Sequence, residues 1–156
     1  MEARRKIIIG NWKMNGRSKD LVDIDLLFKK VPQQEIDIVI APPATLLYEL
    51  KGLNTPKNLL LSGQNCHQVE CGAYTGEISA AMLKEAGANY VILGHSERRT
   101  VYKETSTLVR LKALEAVKQG LIPIICVGES KVLRKQSNIK CYRKAIKGIV
   151  KLKNYM

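Results

Sequence analysis

Four stretches of the sequence carry polar residues suited to binding and activating small anionic substrates, and each follows an apolar run. After Ile7-Ile8-Ile9 come Asn11 and Lys13, after Leu59-Leu60-Leu61 come Gln64 and Asn65, after Val91-Ile92-Leu93 come His95, Ser96 and Glu97, and after Ile122 to Val127 come Gly128 and Glu129. Singly, a lysine or histidine in such a place is more often a solvated or hydrogen-bonded structural residue. Together they are more specific. Lys13 can hold an anionic group, Asn11 can donate a hydrogen bond, and His95 stands where the chain enters a helical turn through Ser96, Glu97 and Arg98. A helix N-terminus favours negative charge and disfavours an imidazolium, which keeps His95 neutral and able to donate to a carbonyl oxygen. That suits enolisation.

Two other chemistries fit the same residues less well. Gly94-His95-Ser96-Glu97 places a serine beside a histidine, as a hydrolase nucleophile elbow does, but the final glycine is missing. Adjacent residues on a turn also rarely aim a base at the neighbouring hydroxyl. Cys66, His67 and Cys71 offer three possible metal ligands on one loop with no fourth nearby, so no metal is expected.

The elements that must position these residues repeat in the sequence. The apolar runs are Ile7-Ile8-Ile9, Ile38-Val39-Ile40, Leu59-Leu60-Leu61, Val91-Ile92-Leu93 and Ile122 to Val127. Most recur at intervals of 31 or 32 residues, the second and third being 21 apart. Uninterrupted runs of this kind suit strands covered on both faces, the mark of a parallel sheet. Helices are predicted between and after them, over about Ser18 to Val31, Ala44 to Lys51, Ser79 to Ala86, Thr105 to Gln119 and Lys140 to Lys151. Thr105 is a fair N-cap, Leu108, Leu111, Leu114 and Val117 mark one face, and Gly120 stops that helix. In the last helix Tyr142, Ala145, Ile146, Ile149 and Val150 form a stripe with the lysines facing away. The fold class is α/β with five strand-then-helix units, either an open doubly wound sheet or a barrel. No G-x-G-x-x-G or Walker loop follows any strand.

Composition bounds the rest. With 156 residues, 46% of them hydrophobic, the chain has the length of one globular domain, and no internal linker or repeat interrupts it. The net charge of +12 is uneven, because the last 26 residues hold nine of the 26 lysines and arginines and none of the 14 acids. Lys131, Arg134, Lys135, Lys140, Arg143, Lys144, Lys147, Lys151 and Lys153 make a basic face near Tyr142 and Tyr155, which raises binding to nucleic acid or an anionic surface as an alternative function. The preferred reading of that face is the solvated outer layer of the fold. Three apolar residues near the N-terminus cannot form a signal peptide and no run spans a bilayer, so a cytoplasmic protein without a membrane partner is expected. Cys66, Cys71, Cys126 and Cys141 lack paired spacing and read as free thiols of a reducing compartment.

The segments Gly10-Asn11-Trp12-Lys13-Met14-Asn15, Gly72 to Ser79, Val91 to Arg99 and Ile125-Cys126-Val127-Gly128-Glu129 together resemble triosephosphate isomerase. The match covers about residues 5 to 130, continues more weakly through the basic helical segment 131–156, and makes 1–156 one incomplete TIM-barrel domain. Triosephosphate isomerase is itself the established instance of a histidine kept neutral by a helix N-terminus, so the His95 argument agrees with a known template. The resemblance implies a glycolytic and gluconeogenic homodimer, needing no cofactor or metal, that interconverts dihydroxyacetone phosphate and glyceraldehyde 3-phosphate through an enediolate. It also implies roles: Lys13 stabilises phosphate and enediolate charge, Asn11 positions substrate, and His95 polarises the carbonyl and shuttles protons. Glu97 is an ancillary acid near Lys13 and Ser96 belongs to the substrate pocket. Gln64 to Glu77 is the loop that enters a second subunit, bringing Thr75 to its neighbour's site.

A complete barrel of this kind has eight units in roughly 250 residues, about 31 each, so 156 residues hold about five. The family's carbon base is a Glu followed by Pro after the sixth strand, and no Glu-Pro occurs in these 156 residues. Glu129 is the nearest carboxylate by topology, but the family makes that position a structural neighbour. The chain alone is therefore expected to be inactive, as a non-catalytic remnant or as half of a split enzyme whose partner fragment carries the last three β/α units. Its first and fifth strands should expose their hydrogen-bonding edges and inward side chains to water.

Overall fold

The computed structural model describes residues 6–28, 36–53 and 56–128. Five strands form one parallel sheet in chain order: β1 Lys6–Asn11, β2 Ile36–Ala41, β3 Leu59–Gly63, β4 Ala88–Leu93 and β5 Ile122–Ile125. The crossovers hold α1 Leu21–Phe28, α2 Leu47–Lys51, α3 Ala80–Glu85, α4 Ser96–Val101 and α5 Ser106–Lys118. Single 3-10 turns, Ser18–Asp20 and Ala44–Leu46, lead into α1 and α2. A doubly wound sheet reverses its strand order at a switch point, and this order of β1-β2-β3-β4-β5 does not. It is the running order of a barrel, open among the described residues because β1 and β5 each pair on one side only.

Local chemistry sets the helix boundaries. Ser79 Oγ accepts from the Met82 N–H at 3.2 Å and Thr105 Oγ1 from the Leu108 N–H at 3.2 Å, so α3 and α5 begin one residue after each cap. The first helix turns α-helical at Leu21 rather than Ser18, because the Arg17 N–H bonds Asp20 Oδ2 at 2.8 Å and tightens the entry. The expected helix over 140–151, the basic segment 131–156, Cys141, Glu129 and the end of the first helix lie outside the described residues.

The core lies between sheet and helices, where Leu47, Leu50, Leu83, Val91, Leu93 and Val109 are buried. One expectation holds there and another fails. Strands are covered on both faces at the centre of the sheet, while β1, expected to be exposed as the edge of an incomplete barrel, leaves Ile7, Ile8 and Ile9 at 43%, 59% and 38% exposure. The stripe Leu108-Leu111-Leu114-Val117 is not the buried face of α5. Val109, Lys112, Ala113 and Ala116 are buried, whereas Leu111 is exposed. Steps of three residues fall short of a turn by about 60° each, so that stripe walks halfway round the helix. The fifth strand also ends at Ile125, two residues before the apolar run does. No helix among the described residues is long and apolar enough to cross a membrane.

Candidate active site

The C-terminal ends of the strands carry the chemistry. Directly after β1, Lys13 adopts the left-handed conformation at φ 55°, a cost of about 1–3 kcal/mol that persists only when the surroundings hold it. Three contacts do so. Its N–H donates to Asn11 Oδ1 at 2.9 Å, its carbonyl accepts from Gln64 Nε2 at 2.7 Å, and its Nζ meets Glu97 Oε1 at 2.7 Å. Gln64 Nε2 also donates to the Ala41 carbonyl at 2.8 Å, tying the turn to the end of β2. Gly16, at φ 105°, lets the turn fold back on Trp12: a Cβ there would lie 2.6 Å from the indole ring.

His95 follows β4 as the N-cap of α4, and its Nδ1 accepts from the Glu97 N–H at 3.3 Å. An accepting Nδ1 puts the proton of the neutral ring on Nε2, the atom left to donate to a substrate oxygen. Glu97 Oε2 stands 3.4 Å from Nδ1. The hydrogen bond from Lys13 holds the Glu97 carboxyl below the usual carboxylate range, opposed by partial desolvation. Glu97 thus anchors both groups, its carboxylate fixing Lys13 and its backbone fixing His95.

A buried charge cluster supports this arrangement and has no counterpart in the sequence reading. Glu104 Oε1 accepts from Arg98 Nε and Lys112 Nζ, each at 2.6 Å, and Lys112 Nζ also donates to Asn65 Oδ1 at 2.9 Å. The side chains of Glu104 and Lys112 are 2% and 3% exposed. Burial alone would raise the Glu104 carboxyl, but the bonds from Lys112 and Arg98 outweigh it and hold the group low. Four segments, the loop after β3, α4, the α4–α5 turn and α5, are pinned together behind the site. The sequence signal was a lysine on the small-residue face of α5.

The predicted residues fall on two sides of His95. A cleft of about 400 Å³ is lined by Asn11, Lys13, Gln64, Glu77, His95 and Glu97. Ser96 instead lines a second cleft of about 490 Å³ with Gly94, His95, Cys126 and Gly128. Gln64, read as an interface residue, uses its amide inside its own chain, while Thr75 is exposed and lines neither cleft. Of the loop's other ligand-like residues, Cys66 and His67 are buried and Cys71 is exposed. The Cys66 thiol is pushed up to about 12, mainly by burial, and His67 stacks on Tyr74 with ring centres 4.0 Å apart. Cys66, Cys71 and Cys126 are free thiols.

The sequence profile of the family described as triosephosphate isomerase matches residues 6–154. The triosephosphate isomerase of Bartonella quintana (strain Toulouse) is 49% identical over 129 residues, covering 81% of this chain and 51% of the relative. That of Bartonella henselae (strain Houston 1) is 46% identical over 138 residues, covering 86% and 54%. The crystal structure of triosephosphate isomerase from Bartonella henselae superposes with a TM-score of 0.87 at 44% identity, covering 93% of this chain and 61% of that one. The chain spans about half the length of the curated relatives it matches.

Proposed function

The chain belongs to the triosephosphate isomerase family, and from that membership we propose that it carries the electrophilic and anion-binding half of a triose phosphate isomerisation site. The observation that carries this reading is the convergence of Lys13 and His95, 82 positions apart in sequence, on one cleft through Glu97. Lys13 supplies positive charge for the phosphate and the developing enediolate, and Asn11, its Oδ1 already used, has its amide nitrogen left to donate. His95 presents Nε2–H to the carbonyl oxygen and exchanges that proton between the two oxygens as the enediolate forms. Ser96, in the second cleft across the His95 ring, is assigned to the substrate pocket by the family resemblance alone.

The base that removes the carbon proton comes, in this reading, from a segment outside these 156 residues, on the same polypeptide or on another. The same segment supplies the strands that cover β1 and β5. Losing general-base catalysis costs on the order of 100 to 10,000-fold, and the absence of the phosphate donors of the later loops compounds it. The enzyme is proposed to be cytoplasmic, without metal or cofactor, and to work as a homodimer in which the loop from Gln64 to Glu77 carries Thr75 to the neighbouring site. The 95% exposure of Met14 and 66% exposure of Tyr102, both lining the first cleft, support an interface there.

The test is a coupled isomerase assay on the purified chain, alone and mixed with a fragment carrying the last three β/α units. Restored turnover on mixing, abolished by Lys13→Met or His95→Gln, is the expected result. Turnover by the chain alone near that of a complete enzyme would overturn the assignment of the base to another segment. No turnover from a folded, stoichiometric complex of the two pieces would reject the isomerase reading.

A further inference from the structure

Arg99 forms no part of either charge network at the site, yet its guanidinium reaches the backbone on both sides of the strand ends. Nε donates to the Gly94 carbonyl at 2.8 Å and Nη2 to the Cys126 carbonyl at 3.3 Å, while Nη1 lies 3.4 Å from Ser106 Oγ. The Arg99 N–H donates to the His95 carbonyl at 3.0 Å. The two peptide groups that flank the His95 Cα are therefore both held, the Gly94 carbonyl by the Arg99 guanidinium and the His95 carbonyl by the first-turn backbone bond of α4 that any residue at position 99 makes. Those two peptide planes set φ and ψ of His95, and with them the direction in which its Cβ leaves the backbone.

Gly94 completes the arrangement. It sits at φ 66°, and a Cβ there would come within 2.7 Å of Arg99 Nη2 and 2.9 Å of Val109 Cγ2. The guanidinium thus occupies the space that a side chain at position 94 would fill. The third arm, to Cys126, fixes this assembly against β5, whose own ladder bond from the Cys126 N–H to the Leu93 carbonyl is 2.9 Å. A planar fork with several donors can span two strand ends in this way, whereas the single ammonium of a lysine reaches only one.

We propose that Arg99 is the positioning residue for His95: it sets the imidazole so that Nδ1 meets the Glu97 N–H and Nε2–H is left for substrate. This rests on the reading of His95 as the group that polarises the substrate carbonyl, but the contact itself is measurable without turnover.

The experiment reads the tautomer of His95 in the full chain by long-range proton–nitrogen correlation at about pH 8, above the ordinary titration of histidine. The resonances are assigned by their loss in His95→Gln. In the parent chain Nδ1 should show the shift of an unprotonated, accepting nitrogen and Nε2 that of a protonated one. In Arg99→Met both resonances should move toward their mean as the ring leaves Glu97 and the tautomers mix. Arg99→Lys should show the same movement, and it decides the matter if Arg99→Met does not fold. Ser79→Ala, which removes the distant cap of α3 at a typical cost of about 1 kcal/mol, should leave the His95 resonances in place. An unchanged His95 ring in a folded Arg99 variant overturns the proposal, and so does an equal shift in Ser79→Ala, since that would be general loosening. These shifts together with no turnover from the folded complex of the chain and its complementary fragment leave the role of Arg99 standing and count only against the isomerase reading.

Discussion

Lys112→Met should be among the most damaging substitutions in the chain, although residue 112 lines neither cleft. Glu104 is 2% exposed at its side chain, and among the described residues no donor reaches its Oε2. Its Oε1 relies on Lys112 and on Arg98, the latter 26% exposed. Removing Lys112 leaves a buried carboxylate with one donor for two oxygens and takes the partner of Asn65 Oδ1 as well. Breaking a buried pair in this way costs about 3–5 kcal/mol. At about 2–4 °C per kcal/mol for a chain of this size, thermal unfolding should fall by roughly 6–20 °C. The double variant Glu104→Met with Lys112→Met removes both fully buried charges and should recover most of that loss, because the ion left without its partner, Arg98, is 26% exposed and reaches water. Circular dichroism melts of the parent, both single variants and the double variant complete the cycle. A loss below about 1 kcal/mol in Lys112→Met, or a double variant no better than the worse single one, would refute the account of the cluster. The pH dependence follows from the sign of the shift. The folded Glu104 carboxyl lies below its unfolded value of about 4.3, so its contribution is present above that value and disappears as pH falls through the folded one. The parent chain should therefore lose stability more steeply on acidification than the double variant does.

Other perturbations test other parts of the structure. Gly94→Ala should destabilise by at least about 1–3 kcal/mol from the backbone conformation alone, with more from the contact with Arg99, read as a shift in the urea midpoint. On α5, Ala113→Leu should cost about 1–3 kcal/mol by overpacking while Leu111→Ser changes stability by less than about 0.5, and the reverse order would restore the leucine stripe as the buried face. In a thiol-titration time course under native conditions Cys71 should react quickly and Cys66 only on unfolding, since burial keeps the Cys66 thiol protonated. Gln64→Met removes the donor that holds the Lys13 carbonyl; affinity for a triose phosphate should fall several-fold in the reconstituted enzyme with the fold intact, and unchanged affinity would detach Gln64 from the site.

Much of this arrangement is legible in the chain itself. Apolar runs about 31 residues apart define strands, Ser79 and Thr105 mark helix starts, and the polar residues after each run mark the site, because strand direction forces those loops to one end of a parallel sheet. Residue types near β1 and β4 are enough to suggest anion binding and carbonyl polarisation. The local rhythm by itself leaves a doubly wound sheet and a barrel open, since both share it and differ only in strand order; the resemblance of the motif segments chose the barrel, and the strand order bears it out. The buried face of α5 is also hidden, because which small residues meet the sheet depends on how closely the helix approaches it. Lys112 looks like a surface lysine until Glu104, Arg98 and Asn65 surround it. Gln64 and Arg99 act on backbone carbonyls, and any residue type offers those, so no pattern announces them. The sequence by itself determines the chemistry carried at each strand end, which follows from side-chain type and local period. Only the tertiary structure decides which ends meet, that Glu97 joins Lys13 to His95, and what holds them in place, because those are contacts across distant parts of the chain.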